Sequence, residues 1–236
     1  MNISLSYYSG LGRRKNNEDS VSVLESPNGL LAIVADGLGG QDNGEYASRQ
    51  AVKTLNDLLA HEPISSRKLT QAVLQANREI VSLQAGRPGA QTTIAAVWLG
   101  EGFAETAHVG DTRIYQFRDD AIIYQSTDHS LAQLGVMAGD LKLEDIRNTK
   151  DRNKLFRALG DRRTPKVAEK LLDILPGDRL LLCSDGFWEN VVEDKMLESL
   201  SFSRRAKDWL RVMRLAHDAN PDGDFDNHSA ITLLIR

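Results

Sequence analysis

Six carboxylates stand where apolar runs begin or end: Glu18 and Asp19 in NNEDS, Asp36 in VADG, Asp111 in HVGDTR, Asp185 in CSDG and Asp226 in DFDNHS. Taken singly, each has an ordinary explanation, because Asp-Gly is a common turn signal. Taken together they allow a second reading. If the strand ends meet on one rim, that many carboxylates repel one another unless a cation sits among them. Hard oxygen donors suit Mg²⁺, Mn²⁺ or Ca²⁺, whereas zinc would ask for His and Cys. Two such ions about 4 Å apart suit the hydrolysis of a phosphate ester. A glycine after Asp36 or Asp185 lets a carbonyl or a metal's waters come close. Periodicity alone does not choose between scattered turns and a shared rim.

The elements that must carry these residues are legible in outline. Residues 2–8 and 20–24 alternate as strands do, and 30–35 is more apolar, as expected of a strand covered on both faces. Helical spacing runs through 43–60 and 66–84, with a turn at Pro63 between them. QTTIAAVWLG, FAETAHVG, TRIYQF and AIIYQS then read as strands joined by short turns, which argues for antiparallel pairing. Residues 128–160 are polar, helical or irregular. Strands return near 166–173 and 179–184, helices near 193–200 and 204–219, and HSAITLLIR closes the chain as a strand. This order is α+β with a large antiparallel component, not βαβ alternation. Helices outside two stacked sheets would cover both.

Composition narrows the function classes. At 236 residues one large domain, 1–236, is the simplest organisation. Apolar residues are 41% and charged residues 26%, ordinary values for a globular chain. A net charge of −4 gives no reason to expect nucleic acid or an anionic membrane as partner. No apolar run reaches the roughly 18 residues that span a bilayer. The N-terminus lacks the basic and apolar regions of a secretion signal. Cys183 is the one cysteine, which leaves no intrachain disulfide and no thiolate cluster. A cytoplasmic location is expected.

RRKNNEDS, VADGLGG, HVGDTRIY, TDHS, RALG, LLCSDGFWENV and DNHSAITLLI occur in the order seen in metal-dependent type 2C Ser/Thr protein phosphatases of the bacterial form, which this chain resembles from about residue 6 to 235. The resemblance implies a four-layer αββα sandwich, two antiparallel sheets flanked by helices, with a metal centre at one end. It implies that Asp36 bridges two Mn²⁺ or Mg²⁺ ions and that Gly37 offers its carbonyl to one of them. Asp185 and Asp226 match the other direct ligands, and Glu18 and Asp19 match residues that hold metal-bound waters. Asp111 matches a ligand of a third, weaker ion shared with Asp185. Arg14 matches the arginine that binds the substrate phosphate, a task for which a two-pronged cation suits better than lysine. The implied mechanism is in-line attack by a metal-activated water, with no phospho-enzyme.

The same resemblance sets expectations for partners. These are phosphorylated proteins, a Ser/Thr kinase among them, dephosphorylated by a monomer that opposes a cytoplasmic kinase. The rival readings are a silent relative that only binds, and a phosphatase devoted to one small regulatory protein. No core Asp is missing, which argues against the silent relative. Where some members carry His after the Asp-Gly, this chain has Leu38, leaving a metal-bound water as the expected proton donor. GDTR replaces the commoner GDSR and keeps a hydroxyl. Gln91 replaces a usual Gly, expected to lie away from the metals.

Residues 130–156 correspond to the family's flap beside the site. Lys150, Arg152, Lys154, Arg157, Arg162, Arg163 and Lys166 form a basic run, most simply a solvated face. His108 reads as a packing residue within its strand, His129 as a helix-start or packing residue rather than a ligand, Cys183 as a buried small hydrophobe, and Phe187 with Trp188 as core that anchors a metal-bearing turn.

Overall fold

The computed structural model describes residues 2–26, 28–39, 43–62, 67–220 and 226–236; the turn expected at Pro63 lies outside them. The strands are β1 (Ile3–Gly10), β2 (Ser20–Ser26), β3 (Gly29–Ala35), β4 (Gly37–Leu38), β5 (Gln91–Thr92), β6 (Ile94–Leu99), β7 (Phe103–Val109), β8 (Arg113–Arg118), β9 (Ala121–Gln125), β10 (Ala168–Asp173), β11 (Arg179–Cys183) and β12 (His228–Ile235). The helices are α1 (Asn43–Leu59), α2 (Lys68–Leu83), α3 (Leu131–Ala138), α4 (Asp185–Trp188), α5 (Glu193–Ser201) and α6 (Ala206–Asp218), with a 3₁₀ turn at Leu143–Asn148.

One antiparallel sheet has the order β1-β12-β11-β8-β9 and a second has β10-β7-β6-β3-β2. Side chains on a strand alternate between faces, and this rule sorts the core into three layers. Leu30, Ala32 and Val34 of β3 and Leu180 and Leu182 of β11 meet between the sheets. Leu31 and Ile33 of β3 face α1 and α2, packing on Ala51, Leu55, Val73 and Ile80. Leu181 and Cys183 of β11 face outward on the other side, onto Trp188, Met196, Trp209 and Met213 of α4, α5 and α6. Strands buried on both faces are why β3 and β11 read as unbroken apolar runs rather than as alternation. The architecture is helices, sheet, sheet, helices.

Strand register decides where the carboxylates go. Ser20 pairs with Ala35, so Asp19 and Asp36 flank the same end of the β2–β3 pair. Ile94 pairs with Val109, which brings the Gly110-Asp111 turn to that end. Cys183 pairs with both Ala230 and Arg113, so the Asp185 turn lies between the turns bearing Asp226 and Asp111. The 130–156 segment closes beside them: Ser130 bridges Leu155, and the Leu131 N–H donates to the Lys154 carbonyl at 2.8 Å.

Candidate metal centre

At that shared end a cavity of about 500 Å³ is walled by Glu18, Asp36, Asp111, Asp185 and Asp226, with Arg14 at its mouth. The carboxylates expected to meet therefore do meet, with one difference in depth. Asp19 lies behind the wall, 7% exposed, its Oδ2 accepting from the Ser184 hydroxyl at 2.8 Å. Ser184 Oγ in turn accepts from the Ser229 N–H at 2.9 Å.

Local structure explains each placement. Asp36 follows β3, and its own N–H donates to Thr93 Oγ1 at 3.1 Å, while its carbonyl accepts from Thr93 N–H at 2.8 Å and from Thr92 Oγ1 at 2.7 Å. Gly37 is buried against the start of α1: a Cβ there would lie 2.3 Å from the Gly44 carbonyl oxygen. That close helix–strand approach, more than room for a metal's waters, is what demands glycine. Asp185 does not end its strand, as the 179–184 reading had it. β11 stops at Cys183, and Ser184 precedes the one-turn helix α4 that Asp185 opens. Gly186 presses on the next carboxylate turn, where a Cβ would lie 2.2 Å from the Asn227 carbonyl oxygen. Asp111, 3% exposed, is fixed by Trp188, whose indole N–H donates to the Asp111 carbonyl at 3.0 Å. Trp188 thus anchors an Asp turn as expected, though not the one it follows.

The electrostatics match a site built for cations. Burial, then the charges of Asp185, Asp19 and Asp111, push Asp36 well above the usual carboxylate range. Burial and Asp185 do the same to Asp111. Asp185 is raised by burial and by Asp226. Burial first, opposed by the Ser229 and Ser184 hydroxyls, lifts Asp19 from 3.8 to about 7. Asp19 Oδ1 is buried with no hydrogen-bond partner among the described residues. An all-oxygen donor set, mutual repulsion and an orphaned buried oxygen together fit a hard divalent ion and not a thiophilic one.

Arg14 stands differently from a side chain waiting on phosphate alone. Its Nε and Nη2 donate to Asp226 Oδ1 and Oδ2 at 2.7 and 2.5 Å. Among the described residues, the three ligand atoms that lie within 4.8 Å of one another belong to His217, Asp218 and His228, behind the rim. The rim carboxylates enclose a wider space, and Asp226 leans to Arg14.

Several supporting residues escaped the sequence reading. Asn227 accepts from the Glu18 N–H (2.8 Å) and donates to the carbonyls of Leu11 (2.9 Å) and Asn16 (3.0 Å), holding the Arg14 loop on the Asp226 turn. Ser48 of α1 donates to the Glu18 carbonyl at 2.6 Å. Gln91, singled out in the sequence, pairs with Leu38 and is not among the residues that wall the cavity. Thr112, the hydroxyl of GDTR, bonds to Thr93 Oγ1. The flap reaches the cavity through Asn153 and Leu155.

The other expectations resolve simply. Cys183 and Phe187 are fully buried. His108 is buried with Nε2 donating to the Thr127 carbonyl at 2.9 Å, and His129 Nδ1 accepts from the Gly110 N–H at 3.1 Å. The basic run is not uniform, since Arg152 reaches Glu189 at 2.8 Å and Lys154 pairs with Asp151 at 2.6 Å. Among the described residues no helix is long and apolar enough to cross a membrane.

Residues 8–220 match the family model for protein phosphatase 2C. The serine/threonine phosphatase stp of Listeria monocytogenes is 34% identical over 233 residues, covering 94% of this chain and 90% of that protein. The crystal structure of the Mycobacterium tuberculosis serine/threonine phosphatase PstP/Ppp superposes with a TM-score of 0.86 at 30% identity, covering 99% of each chain. The catalytic domain of PstP in complex with two manganese ions gives a TM-score of 0.83, again at 30% identity and 99% of each chain.

Proposed function

The chain belongs to the protein phosphatase 2C family and is a metal-dependent serine/threonine phosphatase of the bacterial type, and on that premise we propose how its own residues serve the reaction. Asp36, the Gly37 carbonyl, Asp185 and Asp226 hold two Mn²⁺ or Mg²⁺ ions, with Glu18 and Asp19 orienting the ions' waters. Asp111, with Asp185, holds a third and weaker one. The chemistry that such ions supply when bound is acidification of water and neutralisation of phosphoryl charge.

The observation that carries this reading is the convergence of Asp36, Asp111, Asp185 and Asp226 on one cavity from different strand ends. Arg14 sits at the mouth, where a phosphate's oxygens can replace the Asp226 carboxylate on its guanidinium fork. Leu38 lines the cavity and brings no proton donor, so the leaving serine or threonine oxygen is protonated by water. Asn153 and Leu155 place the flap where it touches the protein around the phosphorylated residue.

The substrates are phosphoserine- and phosphothreonine-bearing proteins, a Ser/Thr kinase among them, which the chain opposes in the cytoplasm as a single-domain monomer. Hydrolysis of p-nitrophenyl phosphate and of a phosphothreonine peptide, with and without Mn²⁺, tests the assignment. Activity that needs Mn²⁺ and disappears in Asp36→Asn supports it. A folded wild type that is inactive with both Mn²⁺ and Mg²⁺ overturns it.

A further inference from the structure

Behind the carboxylate rim lies a second group of donors with different chemistry. His217 and Asp218 end α6, and His228 opens β12. One ligand atom from each lies within 4.8 Å of the others. The two imidazoles are 4.2 Å apart between centroids, His217 fully buried and His228 9% exposed, while Asp218 is exposed.

The outward nitrogens are already committed. His217 Nε2–H donates to the Gly186 carbonyl at 3.2 Å, and His228 Nδ1–H donates to the Asp226 carbonyl at 3.0 Å. A backbone carbonyl on one ring nitrogen fixes the tautomer and turns the other nitrogen into a ligand, the arrangement common around metal-bound histidine. That leaves His217 Nδ1 and His228 Nε2. His217 Nδ1 meets Asp218 Oδ1 at 3.0 Å. Two further features point the same way. Gly10 makes room for the His228 ring, since a Cβ there would lie 2.3 Å from Nε2. Asp218 occupies the last position of α6, the end where the helix dipole disfavours a carboxylate and favours a cation.

The geometry points to a binding site for a borderline divalent ion of the Zn²⁺ type, held by His217 Nδ1, His228 Nε2 and the Asp218 carboxylate, with water completing the shell. This donor set is distinct from the all-oxygen rim, which suits Mg²⁺ and Mn²⁺. Zinc–ligand lengths of about 2.0–2.2 Å require donor atoms about 3.3 Å apart. The exposed Asp218 carboxylate can supply much of that closure by rotation. The ion takes the place of the direct contact between His217 Nδ1 and the Asp218 carboxylate. Arg214, one turn earlier on α6, is the cation that faces the group, with its guanidinium 4.3 Å from the Tyr8 ring centroid. The site does not depend on the phosphatase assignment, and its test reads no activity.

The test loads the full chain with one equivalent of Zn²⁺ in the presence of excess Mg²⁺, which occupies oxygen sites and competes poorly for imidazole. Zinc X-ray absorption is expected to show the scattering of two imidazole ligands. Asp218→Asn, a change at an exposed position, is expected to weaken zinc binding at least about tenfold. His228→Gln, checked for folding by circular dichroism, is expected to remove one imidazole from the spectrum. An oxygen-only zinc shell, no zinc uptake by the folded chain, or binding unchanged in Asp218→Asn overturns the proposal.

Discussion

Arg14 and Asp226 form a two-pronged ion pair at the mouth of the carboxylate cavity, Nε to Oδ1 at 2.7 Å and Nη2 to Oδ2 at 2.5 Å. Each has a second task in the proposed reaction, Asp226 as a metal ligand and Arg14 as the phosphate clamp. Both tasks compete with this pairing for the same carboxylate oxygens and the same guanidinium edge. In the proposed reaction, metal binding would draw Asp226 away from Arg14 and turn the guanidinium toward phosphate.

Arg14→Ala separates the two tasks. kcat/KM for a phosphothreonine peptide is expected to fall by about 100-fold, the scale set by removing one strong donor to a charged transition state. The affinity for Mn²⁺, read by calorimetry, should hold or rise, because Asp226 loses its competitor. A loss of Mn²⁺ affinity would place Arg14 in the metal site's support instead.

The carboxylates give a pH dependence whose sign is fixed. Asp19 is raised from 3.8 to about 7, and Asp36, Asp111 and Asp185 are raised as well. A carboxylate raised on folding binds its proton more tightly in the folded chain. The stability it contributes is therefore full below its ordinary value and is lost as pH rises through the folded value, for Asp19 between 3.8 and about 7. An incoming ion must displace those protons, so Mn²⁺ affinity should rise over that window. Calorimetry in buffers of different ionisation heat should find more protons released at pH 6 than at pH 8. A metal affinity flat with pH would contradict the carboxylate assignment.

Two changes behind the rim should differ in severity. Arg113 and Asp128 are 2% and 1% exposed and paired at 2.7 Å, and the guanidinium lies 3.5 Å from the centre of the Trp188 ring. Asp128→Asn removes the two-pronged carboxylate from a buried guanidinium, leaving it only Glu193, at 3.3 Å, as a carboxylate partner among the described residues, and should cost about 3–5 kcal/mol. Trp188→Phe strands the Asp111 carbonyl and should cost about 1–3 kcal/mol. Thermal unfolding checks the order, at about 2–4 °C per kcal/mol for a chain of this size.

Gly186→Ala drives a Cβ to within 2.2 Å of the Asn227 carbonyl oxygen and must push the Asp185 and Asp226 turns apart. The expected outcome is a folded chain, by circular dichroism, whose Mn²⁺-dependent hydrolysis falls by at least about 100-fold. Retained activity would mean that the two turns need not touch.

The layers were legible because β3 and β11 carry apolar residues on both faces, which only a strand covered on two sides requires. The rim was legible because Asp36, Asp111 and Asp226 interrupt or precede apolar runs, and the ordered motifs joined them. What stayed hidden depends on partners far away in sequence. Asn227 holds Leu11, Asn16 and Glu18 across more than 200 positions, and nothing in DNHS marks its amide as a hub. Gly37 is explained by Gly44, across the start of α1. Ser184, between strand and carboxylate, looked like part of β11. Its hydroxyl in fact links Asp19 to Ser229. Register and close backbone approach, not residue type, decide these roles.

The most direct test of the central claim is an anomalous difference map of Mn²⁺-soaked crystals. The proposal requires two strong peaks with the Asp36 carboxylate between them, Asp185 and Asp226 among their ligands, and the Arg14 guanidinium no longer paired with Asp226. Manganese bound elsewhere, or an Arg14–Asp226 pair intact beside a filled site, would contradict it.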